Sequence, residues 1–225
     1  MSLNKICLHW TGGNNYPCET DLNAYHYCVD KDGRIYQGKF KPEDNINCKD
    51  GKYAKHCGGN NTGCIGISLC GMRGFNSKNK ETDRPITEKQ VEAFCCLAAY
   101  LSVKYGISIS EETIFTHYEF DKKQANPNLD FCSTPSSSSL SFANRKTAAH
   151  NFGATSCSLP VADSALRKNR KGKTDITYIS YLPNLSIEKV GGYLRNKITW
   201  YKIKIRENKY TFEKKGNHYE FTCSC

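Results

Sequence analysis

The chain has 225 residues, enough for one α/β domain with appendages and a substantial buried core. Its formal charge of +10 favours polyanionic surroundings, but the 32 Lys and Arg residues are scattered, with no compact basic stripe interleaved with aromatics, which argues against nucleic acid as a partner. No apolar run reaches 18 residues, so no transmembrane segment is expected; the 13 cysteines are odd in number, contain no CxxC pair and read mainly as buried, reduced apolar residues.

Residues 4–11, NKICLHWT, alternate Ile6, Leu8 and Trp10 with Cys7, His9 and Thr11. That period predicts a half-buried strand with His9 pointing away from the apolar face. Residues 12–15, GGNN, break it. Residues 23–29, NAYHYCV, predict a second strand, Asp32-Gly33 a hairpin turn and residues 35–37 its return. An irregular polar connection over 41–63 carries His56. The apolar run over 64–70, CIGISLC, then predicts a strand buried on both faces.

Over residues 87–105, Val91, Phe94, Cys95, Ala98, Leu101 and Tyr105 form one helical stripe, with Thr87 and Gln90 as a capping box and Gly106 as the stop. Residues 114–117, IFTH, predict a short strand with His117 at its C-terminal end. A second helix is expected over roughly 186–204, with Ser186 as N-cap and Ile187, Val190, Leu194, Ile198 and Tyr201 on one side. This order predicts a single α/β domain with a central mixed sheet flanked by helices.

Residues 124–171 have no sustained period and include four consecutive serines, so they read as a low-complexity insert or flexible loop. Insertions of this length cost little in closure entropy, about 0.6 kcal/mol per doubling. The expected α/β domain is therefore discontinuous, 1–123 with 172–206, followed by a basic polar tail over 207–225.

His9 and His117 both fall at strand positions flanked by loops, where side chains converge on pockets. Two imidazoles and a carboxylate are a common hydrolytic zinc set, with a fourth position left for water. Spacing alone does not choose the acid. Four blocks, KICLHWTGG, AYHYCVDKDGRIYQG, AKHCGGNNTGCIGISLCG and FTHYEF, in this order, resemble the zinc-dependent N-acetylmuramoyl-L-alanine amidases, the group that includes phage lysozyme-type amidases and peptidoglycan recognition proteins. A fifth block, RKGKTDITY, resembles the segment where that family places a lysine two residues before its last zinc ligand.

The resemblance implies a Zn2+ held by His9, His117 and Asp175, with Lys173 stabilising the oxyanion and Tyr25 orienting water or donating to the intermediate. His56 matches a family histidine serving loop structure or substrate contact, and Trp10, Thr11, Asn60 and Asn61 are expected to line the substrate groove. The long interval between His117 and Asp175 departs from the family, and Asp121, Asp130 and Cys132 remain rival ligands. The implied activity is hydrolysis of the amide between the lactyl group of N-acetylmuramic acid and L-alanine; the alternative is a module that binds peptidoglycan or muropeptides without cutting them. A monomer is expected. The substrate points to the envelope or a secreted protein, whereas the missing signal peptide and the cysteines point to cytoplasmic muropeptide recycling.

Overall fold

The alternation in residues 4–11 becomes β1 (Lys5–Trp10). The computed structural model describes residues 2–125 and 175–224. Within them lie β2 (Tyr27–Val29), β3 (Ile35–Gln37), β4 (Cys64–Leu69), β5 (Ile114–Thr116), β6 (Tyr210–Lys215) and β7 (His218–Cys223). The helices are α1 (Glu19–Ala24), α2 (Glu88–Lys104), α3 (His117–Ala125) and α4 (Ile187–Arg206). All seven strands form one sheet in the order β5-β1-β4-β2-β3-β7-β6. The four strands β5, β1, β4 and β2 are parallel; β3, β7 and β6 continue antiparallel.

On one side of the sheet, Ile6, Leu8 and Trp10 join a core with Val91, Phe94, Leu97 and Leu101 of α2 and Val190, Leu194 and Ile198 of α4. Every residue of β4 is buried, as its unbroken apolar run requires. The capping box on α2 forms as expected: Thr87 Oγ1 accepts the Gln90 N–H at 3.1 Å. The other face of the sheet carries Cys7 and His9 and is covered by the 38–63 connection, where His56 packs on Gly66. That covering matters for function, because it buries a polar cluster against a rigid parallel sheet.

Three expectations need correction. The first residues of the strand expected over 23–29 instead close α1, whose start is capped by Asp21 accepting the Cys18 N–H at 3.0 Å. A helix this short shows no full period in sequence. His117 opens α3 rather than ending β5. The polar tail over 207–225 supplies the β6–β7 hairpin, whose Phe212 and Phe221 pack on Tyr100 of α2. The insert expected over 124–171 lies almost wholly outside the described residues.

Candidate metal centre

β1 and β5 run side by side with Leu8 opposite Thr116, so the next residues, His9 and His117, arrive at the same level of the sheet. Their rings meet edge-on, centroids 4.8 Å apart. Both stand at carboxyl ends of parallel strands, where α/β sheets open their crevices. The exit of His117 is fixed by a reciprocal cap. Glu119 N–H donates to Thr116 Oγ1 at 3.1 Å, and the Glu119 carboxylate accepts the Thr116 N–H at 2.8 Å.

Asp175 reaches the same point from beyond α3. Its Oδ1 accepts the backbone N–H of Trp10 at 2.7 Å, and its Oδ2 lies 2.8 Å from His9 Nδ1 and 3.1 Å from His117 Nδ1. Burial alone would raise this carboxyl, but His9, His117 and the Trp10 N–H outweigh it and hold it down to about 2. Burial likewise works against charge on His117, yet Asp175 and the Cys57 thiol lift it to about 9. The carboxylate therefore keeps its charge in a nearly dry site.

Behind His9 sits His56. His56 Nδ1 is 3.1 Å from His9 Nε2, and His56 Nε2 donates to the Cys64 carbonyl at 3.2 Å. Gly66 makes the seat: a Cβ there would lie 2.3 Å from the ring. Burial first, then the neighbouring imidazoles, push His56 well below the usual histidine range. His26 extends the row. Its Nδ1 accepts the Gly66 N–H at 2.9 Å and its Nε2 donates to Asn45 Oδ1 at 3.0 Å. Neither His26 nor Asn45 was singled out from sequence; the one cue was that His26 shares the AYHY block with Tyr25.

The ring of Tyr25 stands 5.1 Å from that of His9, and burial, followed by Asp175, pushes its hydroxyl well above the ordinary tyrosine range. Near that hydroxyl, Ser68 Oγ is buried without a well-aligned hydrogen-bond partner among the described residues. Of the residues expected to line a groove, Trp10 and Thr11 directly follow His9, and Asn60 and Asn61 lie in the 38–63 connection. The Trp10 ring packs on Phe75 in the core, while its N–H holds Asp175. Thr11 Oγ1 accepts the N–H groups of Gly13 and Gly71, each at 3.1 Å. Asn60 accepts from Lys5 at the opposite end of β1 from His9, and Asn61 Oδ1 accepts the Cys57 N–H at 2.9 Å. Both asparagines are thus engaged in shaping the loop. Lys173 and the rivals Asp130 and Cys132 lie outside the described residues. Asp121 stands 3.7 Å from His117 Nε2, the nitrogen facing away from Asp175.

Among the described residues, two sets of donors converge closely enough to hold a cation: His9, His117 and Asp175, and Cys7, His9 and His56, each within 4.8 Å. Their chemistry differs. Burial above all, with Cys57, pushes the Cys7 thiol well up, so it stays protonated, whereas Asp175 is ionised. A tetrahedral zinc with bonds of about 2.0–2.2 Å separates its ligand atoms by about 3.3 Å, close to the two Asp175 distances. The His–His–Asp set fits such an ion.

Fold and site together define an α/β domain with a buried His–His–Asp cluster at its strand ends whose donor atoms could hold a metal ion. A family model described as N-acetylmuramoyl-L-alanine amidase matches residues 1–129, and the chain belongs to that family. Asp175 and α4 fall beyond the matched span. Among solved structures, the chain is similar to the N-acetylmuramoyl-L-alanine amidase LysC from Clostridium intestinale URNW, at 23% identity over 52% of this chain and 71% of that one, with a TM-score of 0.36. It is also similar to the E. coli amidase AmiD, in complex with anhydro-N-acetylmuramic acid-L-Ala-D-gamma-Glu-L-Lys, at 20% identity over 56% and 52% of the two chains, TM-score 0.40. A third is the ectodomain complex of peptidoglycan recognition proteins LCa and LCx bound to tracheal cytotoxin, at 17% identity over 54% and 72%, TM-score 0.37. No curated protein matches the chain. No helix among the described residues is long and apolar enough to cross a membrane.

Proposed function

We propose that this chain is a zinc-dependent peptidoglycan amidase that hydrolyses the amide between the lactyl group of N-acetylmuramic acid and L-alanine of the stem peptide. The observation that carries the reading is Asp175 Oδ2 placed between the Nδ1 atoms of His9 and His117. These three side chains would hold the ion, and family membership supplies the substrate class. When bound, zinc supplies a Lewis acid that polarises the carbonyl and lowers the pKa of water.

The protein's own groups do the rest. Trp10 N–H fixes one Asp175 oxygen and so aims the other at the two imidazoles. Tyr25, kept protonated by burial, is proposed to donate a hydrogen bond to the oxygen that gains negative charge. Lys173, two residues before Asp175, is proposed as the cation on that oxygen. The domain is read as discontinuous, 1–123 with a second part from 172 onward that includes the β6–β7 hairpin, so a protein lacking 125–170 should still bind zinc.

The test combines product mass analysis on intact wall and on soluble muropeptides with metal content. Chelation should abolish cleavage and zinc should restore it; His9→Ala, His117→Ala and Asp175→Ala should lose both metal and activity. An Asp175→Ala protein with normal zinc and full turnover would overturn the ligand assignment. Zinc and muropeptide binding with no cleavage would identify a binding module instead.

A further inference from the structure

We infer that His56 is a positioning residue that fixes which ring nitrogen of His9 faces the metal site, an inference resting on the zinc reading above. A backbone carbonyl only accepts, so His56 Nε2, 3.2 Å from the Cys64 oxygen, carries a hydrogen. His56 is 4% exposed, and its ring-nitrogen partners among the described residues are that carbonyl and His9. No carboxylate among the described residues is hydrogen-bonded to it to stabilise a second ring proton. Its Nδ1 is then a bare acceptor, and the donor across the 3.1 Å contact is His9 Nε2.

A neutral His9 with its hydrogen on Nε2 has a free lone pair on Nδ1. That is the atom 2.8 Å from Asp175 Oδ2; in the metal-free protein the ionised carboxylate calls for a hydrogen on Nδ1 as well, and a bound metal would take that hydrogen's place. Two successive hydrogen bonds thus carry the polarity of one β4 carbonyl across to β1 and keep a hydrogen on His9 Nε2, which leaves Nδ1 as the nitrogen that would meet the metal. Gly66 makes the relay sterically feasible, since any side chain there would displace the His56 ring. His26 in turn holds the Gly66 N–H at 2.9 Å, anchoring the strand segment on which the ring sits.

The role calls for a readout that a merely structural histidine would not move. Two variants separate the cases: His56→Asn keeps an acceptor oxygen near the Nδ1 position, whereas His56→Leu fills similar space with none. Ring-nitrogen correlation spectra of 15N-histidine-labelled protein, zinc-free and zinc-loaded, report the tautomer, and competition with a chromophoric chelator reports zinc affinity. Expected are a hydrogen on His9 Nε2 in both forms of the wild type, zinc binding about 10–100-fold weaker in His56→Leu, and a loss of at most about threefold in His56→Asn.

A wild-type His9 that lacks a hydrogen on Nε2 would overturn the inference, as would a folded His56→Leu protein that binds zinc as tightly as wild type. Should the leucine variant fail to fold, the wild-type spectra alone decide. Failure of the wild type to bind zinc would sink the metal reading, while the zinc-free spectrum would still decide the relay.

Discussion

Arg195 on α4 grips the carboxylate of Glu119 on α3 with both arms of its guanidinium, each nitrogen 2.9 Å from its own oxygen. The same side chain donates to the Ile114 carbonyl at 3.2 Å. Because Glu119 also caps Thr116, this fork ties a helix from late in the chain to the junction that aims His117. Gly191 lets α4 come this close: a Cβ there would fall 2.0 Å from Glu119 Oε1.

Arg195→Met should therefore destabilise the fold by about 2–3 kcal/mol, below the usual loss for a fully buried pair because water reaches part of Glu119. Gly191→Ala distinguishes this clamp from ordinary helix propensity. In a helix interior that change normally stabilises by about 1 kcal/mol. Here it should destabilise, and both variants should bind zinc more weakly than wild type. Urea unfolding and chelator competition measure the two effects; a Gly191→Ala protein more stable than wild type would remove the clamp from the argument.

Ile176, directly after Asp175, is 1% exposed and holds a φ of 53°, a left-handed conformation that disfavours a β-branched residue. The strain costs about 1–2 kcal/mol and is sustained by burial of the side chain. Replacing it loses that burial either way, about 2–5 kcal/mol for the alanine. The order of the two smallest substitutions should invert, however. Ile176→Gly should be about 1 kcal/mol more stable than Ile176→Ala, because glycine takes this φ freely and alanine does not. Thermal melts of the two proteins check it, and the normal order, alanine above glycine, would refute the strain.

Much of this architecture was legible because burial imposes period. β1 alternates because one face meets the apolar core and the other a polar cluster. Since that cluster is covered too, the strand is buried on both faces rather than half-buried as its period suggests. α2 carries a stripe and a cap at its ends. His9 and His117 could be picked out as histidines at strand termini. Asp175 could not be reached by spacing, since 124–171 intervenes; only the lysine two residues before it and the resemblance of that block pointed there. The Arg195–Glu119 fork and the His26–Asn45 pair join residues far apart in sequence, and no local pattern marks such contacts. β6 and β7 were missed because their outward positions are dense in Lys and Glu, which masked the alternating aromatics Tyr210 and Phe212.

That hairpin should be separable from the metal site. Phe212 stacks on Tyr219 and also meets Tyr100, each at 4.8 Å between centroids, while β7 joins β3 through Ile35 and Tyr219. Four strand spacings, about 19 Å, lie between β7 and β1. Phe212→Ala should cost about 1–2 kcal/mol, less than a fully buried phenylalanine, and leave zinc affinity unchanged. Parallel losses of stability and zinc binding would show that the hairpin supports the site.

His26 should make the fold sensitive to acid. Burial, despite help from Asn45, lowers its pKa from the ordinary 6.5 to about 4. Between those values the unfolded chain binds a proton that the folded chain refuses, so stability rises with pH across this window. The contribution is fully present above about pH 6.5 and is lost as pH falls through about 4, roughly 3 kcal/mol in all. The structural reason is the Gly66 N–H, which donates to His26 Nδ1 at 2.9 Å; a hydrogen on Nδ1 would oppose it and loosen the strand under His56. His26→Gln should be less stable than wild type at pH 7 but lose less on acidification. Urea midpoints of both zinc-free proteins at pH 7 and pH 5 test this, because Asp175 and His117 titrate in both and cancel in the difference. Parallel pH dependences in the two proteins would show that His26 is not the group whose protonation opens the fold.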